Sequence, residues 1–401
     1  MEFLRKYIDK IKPNFEKGGK FEKLHSVFDG FETFLFVTNA TTSKIGAHIH
    51  DAVDSKRTMI VVVIALIPAL LFGMFNVGYQ HFLAIGSNAG FFEMFLYGLL
   101  AVLPLIIVSY VVGLGIEFIV AQIKGHEIQE GFLVTGFIIP LIIPVDTPLW
   151  MVAIATAFAV IFAKEVFGGT GKNIFNVALV TRAFLFFAYP TAMSGDTVWV
   201  RTGTAFGFGQ GNVVDTFSGA TPLGQVNTAA DGTAAVLTDF MGNPISFWDG
   251  FIGLIPGSIG ETSVIAILLG AIILLVTRVA SWKTMFSVFA GGTLMALIFN
   301  HFGPNTAVAN FPWYNHLIFG GFAFGAVFMA TDPVTSARTE TGKWIYGALV
   351  GVLAIVIRVL NPGYPEGMML AILLMNIFAP LIDYYVVDAN VKRRLKRAKT
   401  N

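Results

Sequence analysis

Cysteine is absent from this 401-residue chain and charge is scarce. Without cysteine there are no disulfides, no thiolate-held metals and no cysteine-ligated iron–sulfur clusters. Any redox role therefore rests on an organic cofactor or on non-cysteine ligands. Charged residues make up 13% of the chain and hydrophobic ones 55%, whereas soluble domains carry about 25% charged residues. With a mean hydropathy of +0.72, the composition is that of a polytopic membrane protein. The net charge of +1 gives no argument for nucleic-acid binding. The first 57 residues are polar and charged with no apolar h-region, which predicts that no signal peptide is cleaved. The seven histidines are scattered, and His48-x-His50 has no nearby third ligand, so it reads as an exposed polar pair.

Apolar stretches long enough to cross a hydrocarbon core of roughly 30 Å fall near 58–76, 92–120, 150–166, 262–280, 284–300, 315–331, 343–360 and 367–387. Two shorter ones, 131–144 and 174–189, are broken by Pro140 and Pro144 or carry Arg182. They either cross or re-enter, because irregular backbone at membrane depth needs protein or water around it. Counting them gives an all-α integral membrane protein of about ten transmembrane helices. Ten Lys/Arg precede residue 58 and six more follow Val391, so both ends are predicted cytoplasmic and the number of spans even. The expected organisation is a basic, amphipathic N-terminal region (1–57), a first membrane repeat (58–189), an outside loop (190–261), a second repeat (262–388) and a basic tail (389–401). The loop holds Arg201 as its one basic residue against six acids.

A weak repeat supports that division. Pro140, Trp150, Gly171, Asn176 and Phe184 recur as Pro333, Trp344, Gly367, Asn376 and Phe378, at offsets of 193 to 200. Five spans per copy is odd, so the copies are expected to be inverted, with broken helices and polar sites near the midplane.

Chemistry concentrates in a few places. Residues Asp215 to Thr221 read D-T-F-S-G-A-T in the outside loop. The small neighbours leave the Thr221 hydroxyl accessible, and Pro222 fixes the backbone beyond it. The string is similar to the D-x-x-[ST]-G-A-T signal at which a flavin transferase esterifies FMN phosphate to threonine. Five such constraints arise by chance in roughly one chain of this length in a few thousand. Glu117, Lys164, Glu165, Arg182, Arg358 and Asp383 lie in or at the edges of spans, where ionisable groups are costly. Asp332 and Glu130 sit at the expected cytoplasmic ends of broken helices, as hard oxygen ligands suited to Na⁺ or to proton relay. The run G168-G-T-G-K-N173 fails as a phosphate loop, because Val166 and Asn173 stand where Gly and Ser/Thr are required. No NADH site is legible.

With these residues in view, the chain resembles the B-type membrane subunits of the sodium-translocating NADH:quinone oxidoreductase (NQR) family of bacterial inner membranes. The likeness runs nearly end to end, through F-E-x-G-G-K, A52-V-D-S-K-R57, A-K-E-V-F-G-G-T-G-K-N, R-A-F-L-F-F-A-Y-P, S-G-A-T, I-P-G-S-I-G-E, G-G-F-A-F-G-x-x-F-M-A-T-D-P-V and N-P-x-Y-P-E-G-M-M-L-A-I. The resemblance implies covalent FMN on Thr221, attached by a periplasmic flavin transferase, and a non-covalent riboflavin. It implies that electrons arrive from the FMN of the C-type subunit, leave to ubiquinone on the cytoplasmic side and drive Na⁺ export. Asn173, Asn176 and Asp332 are the implied riboflavin region, and Glu130, Asp332 and Asp383 the implied Na⁺ pathway. The implied partners are subunits A, C, D, E and F and membrane lipid, with no nucleic acid. The D-type subunit of the related Rnf complex, which serves ferredoxin and NAD⁺, shares the S-G-A-T threonine but lacks the basic N-terminal region. A plain ten-span solute transporter has no use for the motif.

Overall fold

The computed structural model describes residues 2–16, 18–36, 55–124, 131–209, 217–230, 236–239, 242–361 and 363–400. His48, His50, Glu130 and Asp215, singled out above, lie outside the described residues. Two helices, α1 (Glu2–Ile11) and α2 (His25–Leu35), precede the membrane part. They are tied together by buried Glu32, which accepts a hydrogen bond from Lys12 at 3.0 Å.

The membrane part is entirely helical, and among the described residues there is no β-strand beyond two isolated bridges. Helices α3 (Ser55–Ala84) and α4 (Phe91–Lys124) are long. The next, α5 (Phe132–Leu141), is short; α6 (Leu149–Ala159) runs on through a π-turn to Phe167; α7 (Val177–Ala188) is again short. After the short surface helices α8 (Pro222–Thr228) and α9 (Phe247–Ile252) come α10 (Val264–Val276) and α11 (Trp282–Phe302). A broken segment follows, α12 (Trp313–Ile318) and α13 (Phe322–Phe324), the latter extended by a π-turn to Met329. Two long helices, α14 (Glu340–Leu360) and α15 (Met368–Thr400), close the chain. Six helices are long and apolar enough to cross a membrane; α5, α7 and α10 are apolar but shorter. At 1.5 Å per residue, ten-residue α5 reaches only about 15 Å, half a hydrocarbon core. Six of the eight stretches expected to cross are long helices; 262–280 yields only the 13-residue α10 and 315–331 is broken between α12 and α13, while the two ambiguous stretches are short helices.

Local chemistry explains the ends. Asn176, Ser263, Ser281 and Thr339 each accept a backbone N–H at the start of α7, α10, α11 and α14. Within a bilayer, N–H groups left unpaired would cost several kcal/mol. Packing between helices uses small residues rather than apolar bulk. A Cβ on Gly351 of α14 would lie 2.1 Å from the Val288 carbonyl oxygen of α11. Likewise, one on Gly98 of α4 would lie 1.7 Å from that of Met74 on α3. The break between α12 and α13 is held by Arg358. Its guanidinium donates to the carbonyls of His316 (2.6 Å), Phe319 (3.2 Å), Gly320 (3.2 Å) and Glu366 (3.1 Å).

Candidate functional site

Two cavities lie at opposite ends of α7. Thr221 opens onto one of them. It caps α8, its hydroxyl oxygen accepting the Gly224 N–H at 3.1 Å, with Pro222 at the first helical position. The same cavity is lined by Arg182 and Phe186 of α7, by Trp199, by Ser258 to Thr262 at the start of α10, by Gly320 and Gly321 before α13, and by Tyr364 to Glu366 before α15.

Arg182 is fully buried and is the charged centre of this wall. It pairs with Glu261 at 3.1 Å and with Glu366, and it donates to the Ile142 carbonyl at the end of α5 and to the Ser258 hydroxyl at 3.3 Å. Four chain segments therefore meet on one guanidinium. Opposite, Gly320 and Gly321 have φ of 70° and 67°, a region open to glycine. A Cβ on Gly321 would lie 2.8 Å from the Glu261 carboxylate, and one on Gly320 would lie 2.0 Å from Leu223. The site is thus a hydroxyl at the edge of a glycine-walled cradle, with aromatic sides and one fixed cation. A flavin joined through its phosphate to Thr221 would meet polar groups here, the Arg182 guanidinium among them.

The other cavity is lined by Asn173, Asn176 and Asp332 together with Gly131, Lys164 and Thr170. The three residues expected to serve one pocket are brought to one pocket. Asn176 caps α7 through its side-chain oxygen (Leu179 N–H, 3.2 Å) and donates from Nδ2 to Asp332 at 3.1 Å. Asp332 also accepts from the Val334 N–H (2.9 Å) and the Thr335 hydroxyl (3.1 Å). Asn173 is partly spent on its own loop, accepting the Gly171 N–H and donating to the Phe175 carbonyl. The buried hydroxyl of Thr170 has no hydrogen-bond partner among the described residues, and a flavin's carbonyls or ring nitrogens would suit it. Within this wall, buried Lys164 pairs with Glu117 of α4.

The linings also fix the sense of the two halves. The start of α5 (Gly131) and the end of the α13 segment (Asp332) face the Asn176 cavity. The start of that segment (Gly321) faces the Thr221 cavity, and there the Ile142 carbonyl at the end of α5 meets Arg182. Similarly, α7 begins at the Asn176 cavity, whereas α15 begins beside the Thr221 cavity. Equivalent helices run in opposite directions. One expected match shifts: Asn176 precedes α7, but Asn376 lies within α15, two turns after its start. It reaches across instead, its amide oxygen accepting the Asn176 backbone N–H at 3.2 Å.

Asp383 lines neither cavity. Its two oxygens accept the backbone N–H groups of Arg338 (2.7 Å) and Thr339 (2.9 Å). Among the described residues no three His, Asp or Glu side chains cluster as a metal site. Glu366 went unnoticed in the sequence. Its signal was an acid just ahead of a long apolar run.

Residues 42–392 match the profile of the NQR2, RnfD, RnfE family. The chain belongs to this family. Among its relatives, the B-type subunit of the Na(+)-translocating NADH-quinone reductase of Ectopseudomonas mendocina (strain ymp) is 47% identical, with 98% of this chain and 99% of that one covered. The proteins of the same name from Chromohalobacter salexigens and Neisseria meningitidis serogroup B are 44% and 45% identical, each over 98% of this chain. Within the NQR2, RnfD, RnfE family, these three relatives match in length as well as in sequence.

Proposed function

We propose that this chain is the flavin-bearing membrane subunit of a sodium-translocating NADH:ubiquinone reductase. In this reading it carries FMN esterified to Thr221, put there by a periplasmic flavin transferase, and holds riboflavin non-covalently around Asn173, Asn176 and Asp332. The observation that carries it is the pair of cavities sharing α7: Ala178 faces one and Arg182 the other. They are one helical turn apart, about 6 Å along the axis. Two flat cofactors in those cavities would be near neighbours, which suits electron transfer across the protein. The ring chemistry belongs to the flavins; the chain holds, orients and shields them.

Electrons would come from the FMN of the C-type subunit, pass between the two cavities and leave to ubiquinone beside the basic region 1–57. Glu130, Asp332 and Asp383 are proposed as acids of the Na⁺ path. Both termini would be cytoplasmic and the chain embedded in a bacterial inner membrane, in contact with lipid and with subunits A, C, D, E and F. The test is a denaturing gel under ultraviolet light, wild type beside Thr221→Ala, each co-expressed with a flavin transferase. A fluorescent wild-type band that vanishes in the variant is expected. A dark wild type, with a control substrate labelled, would overturn the reading.

A further inference from the structure

We infer that Arg182 is the positioning residue that sets how readily the flavin on Thr221 is reduced, with Glu366 as its opposing charge. The inference rests on the reading of Thr221 as the flavin attachment site. Three permanently ionisable side chains line the Thr221 cavity, and Arg182 is the single cation among them. It cannot swing away. Glu261 holds one guanidinium nitrogen and Glu366 the other, while Ile142 and Ser258 engage the same group from the end of α5 and the approach to α10. A cation fixed in advance by its neighbours and itself shielded from water is the arrangement that stabilises developing charge most effectively.

Reduction of a flavin adds electron density to the pyrimidine edge of its ring system, at N1 and the C2 carbonyl. A guanidinium on the cavity wall lowers the free energy of that reduced form, and a carboxylate raises it. The two effects come from one cluster but differ in exposure. The side chains of Arg182 and Glu261 are 3% and 4% exposed, that of Glu366 is 16% exposed. Glu366 therefore faces the cavity more openly than Glu261 does. Its removal frees Arg182 to act on the ring, while removal of Arg182 leaves two carboxylates facing it. Opposite signs follow from opposite charges, whereas loosening of the wall would push both variants the same way.

The experiment is a redox titration of the assembled complex for wild type, Arg182→Lys, Arg182→Gln and Glu366→Gln. The signal of the covalent flavin is isolated by difference against Thr221→Ala, and its attachment checked by in-gel fluorescence. Arg182→Gln is expected to make one-electron reduction at least tenfold less favourable, a fall of about 59 mV or more in midpoint. Glu366→Gln is expected to raise the midpoint, and Arg182→Lys to stay near wild type. Should Arg182→Gln fail to assemble, the sign of the Glu366→Gln shift decides alone. Fluorescent bands with unmoved midpoints, or shifts of the same sign, overturn the role of Arg182. A dark wild-type band instead removes the attachment site on which the inference stands.

Discussion

At the Thr221 cavity the cation behind the wall is Arg358, near the end of α14, and its partners are four backbone carbonyls. At the Asn176 cavity the cation is part of the wall itself, Lys164 near the end of α6, and its partner is the carboxylate of Glu117. Each cation closes a helix that carries one tryptophan of the sequence repeat, Trp150 in α6 and Trp344 in α14. Their partners differ because the neighbouring segments differ. Beside Arg358 the chain is fully broken between α12 and α13, leaving carbonyls that a bilayer cannot satisfy. Beside Lys164 the chain is only bulged by a π-turn, a distortion often found at functional sites, and a side-chain acid suffices. The comparison separates a cation that holds backbone from one that balances charge.

The largest expected effect tests that separation. Arg358→Met strands several buried carbonyls, and Lys164→Met strands a buried carboxylate. Each should cost roughly 3–5 kcal/mol, the usual penalty for removing one partner of a buried ionic group. The second change, Glu117→Met, should restore most of the loss in Lys164→Met, because an apolar pair of similar volume replaces a charged one. No single side-chain change can rescue Arg358→Met, whose partners are backbone. Thermal melting of the detergent-solubilised protein checks both, and recovery of only the lysine variant is the expected outcome.

A middle-sized effect distinguishes the cavities by cargo. Asn176→Leu removes the cap of α7 and a donor to Asp332. Loss of the cap costs about 1 kcal/mol, and the polar lining at that end is broken. Non-covalent flavin, measured in the acid supernatant, should bind at least about tenfold more weakly, some 1.4 kcal/mol. The fluorescent band at Thr221 should keep its intensity. Parallel loss of both would mean that the cavities do not act as separate sites.

Much of this was legible in the sequence, for physical reasons. Apolar length alone located the six long membrane helices, since crossing hydrocarbon is a demand on composition, but it did not show that 262–280 would be shortened or 315–331 broken. The short stretches 131–144 and 174–189 could not be assigned as crossing or re-entering, because length does not say what surrounds a helix end. Thr221 was visible through its small neighbours. Its cavity was not, because Arg182, Glu261 and Glu366 come from three distant parts of the chain and only folding joins them. The match of Asn176 with Asn376 was misleading because identity of residue type is weaker than identity of place. Gly171 and Gly367 share a positive φ ahead of α7 and α15, although Gly171 lies six residues before its helix and Gly367 one. The turns need that backbone conformation whatever the neighbouring side chains are.

The smallest effect concerns the acids proposed for the Na⁺ path. Asp332 lines the Asn176 cavity. Asp383 has both oxygens already engaged by the Arg338 and Thr339 N–H groups ahead of α14. An asparagine there keeps one acceptor, so Asp383→Asn should cost about 1 kcal/mol of stability. Sodium enters the comparison through access: both acids have both oxygens hydrogen-bonded, but Asp332 lines a cavity that a cation could enter and Asp383 lines neither. The half-saturating Na⁺ concentration for quinone reduction should rise several-fold in Asp332→Asn. In Asp383→Asn it should rise by less than about twofold, under roughly 0.5 kcal/mol. An equal rise in both would mean that the loop releases Asp383 during turnover, and the contrast between a cavity acid and an anchoring acid would fall.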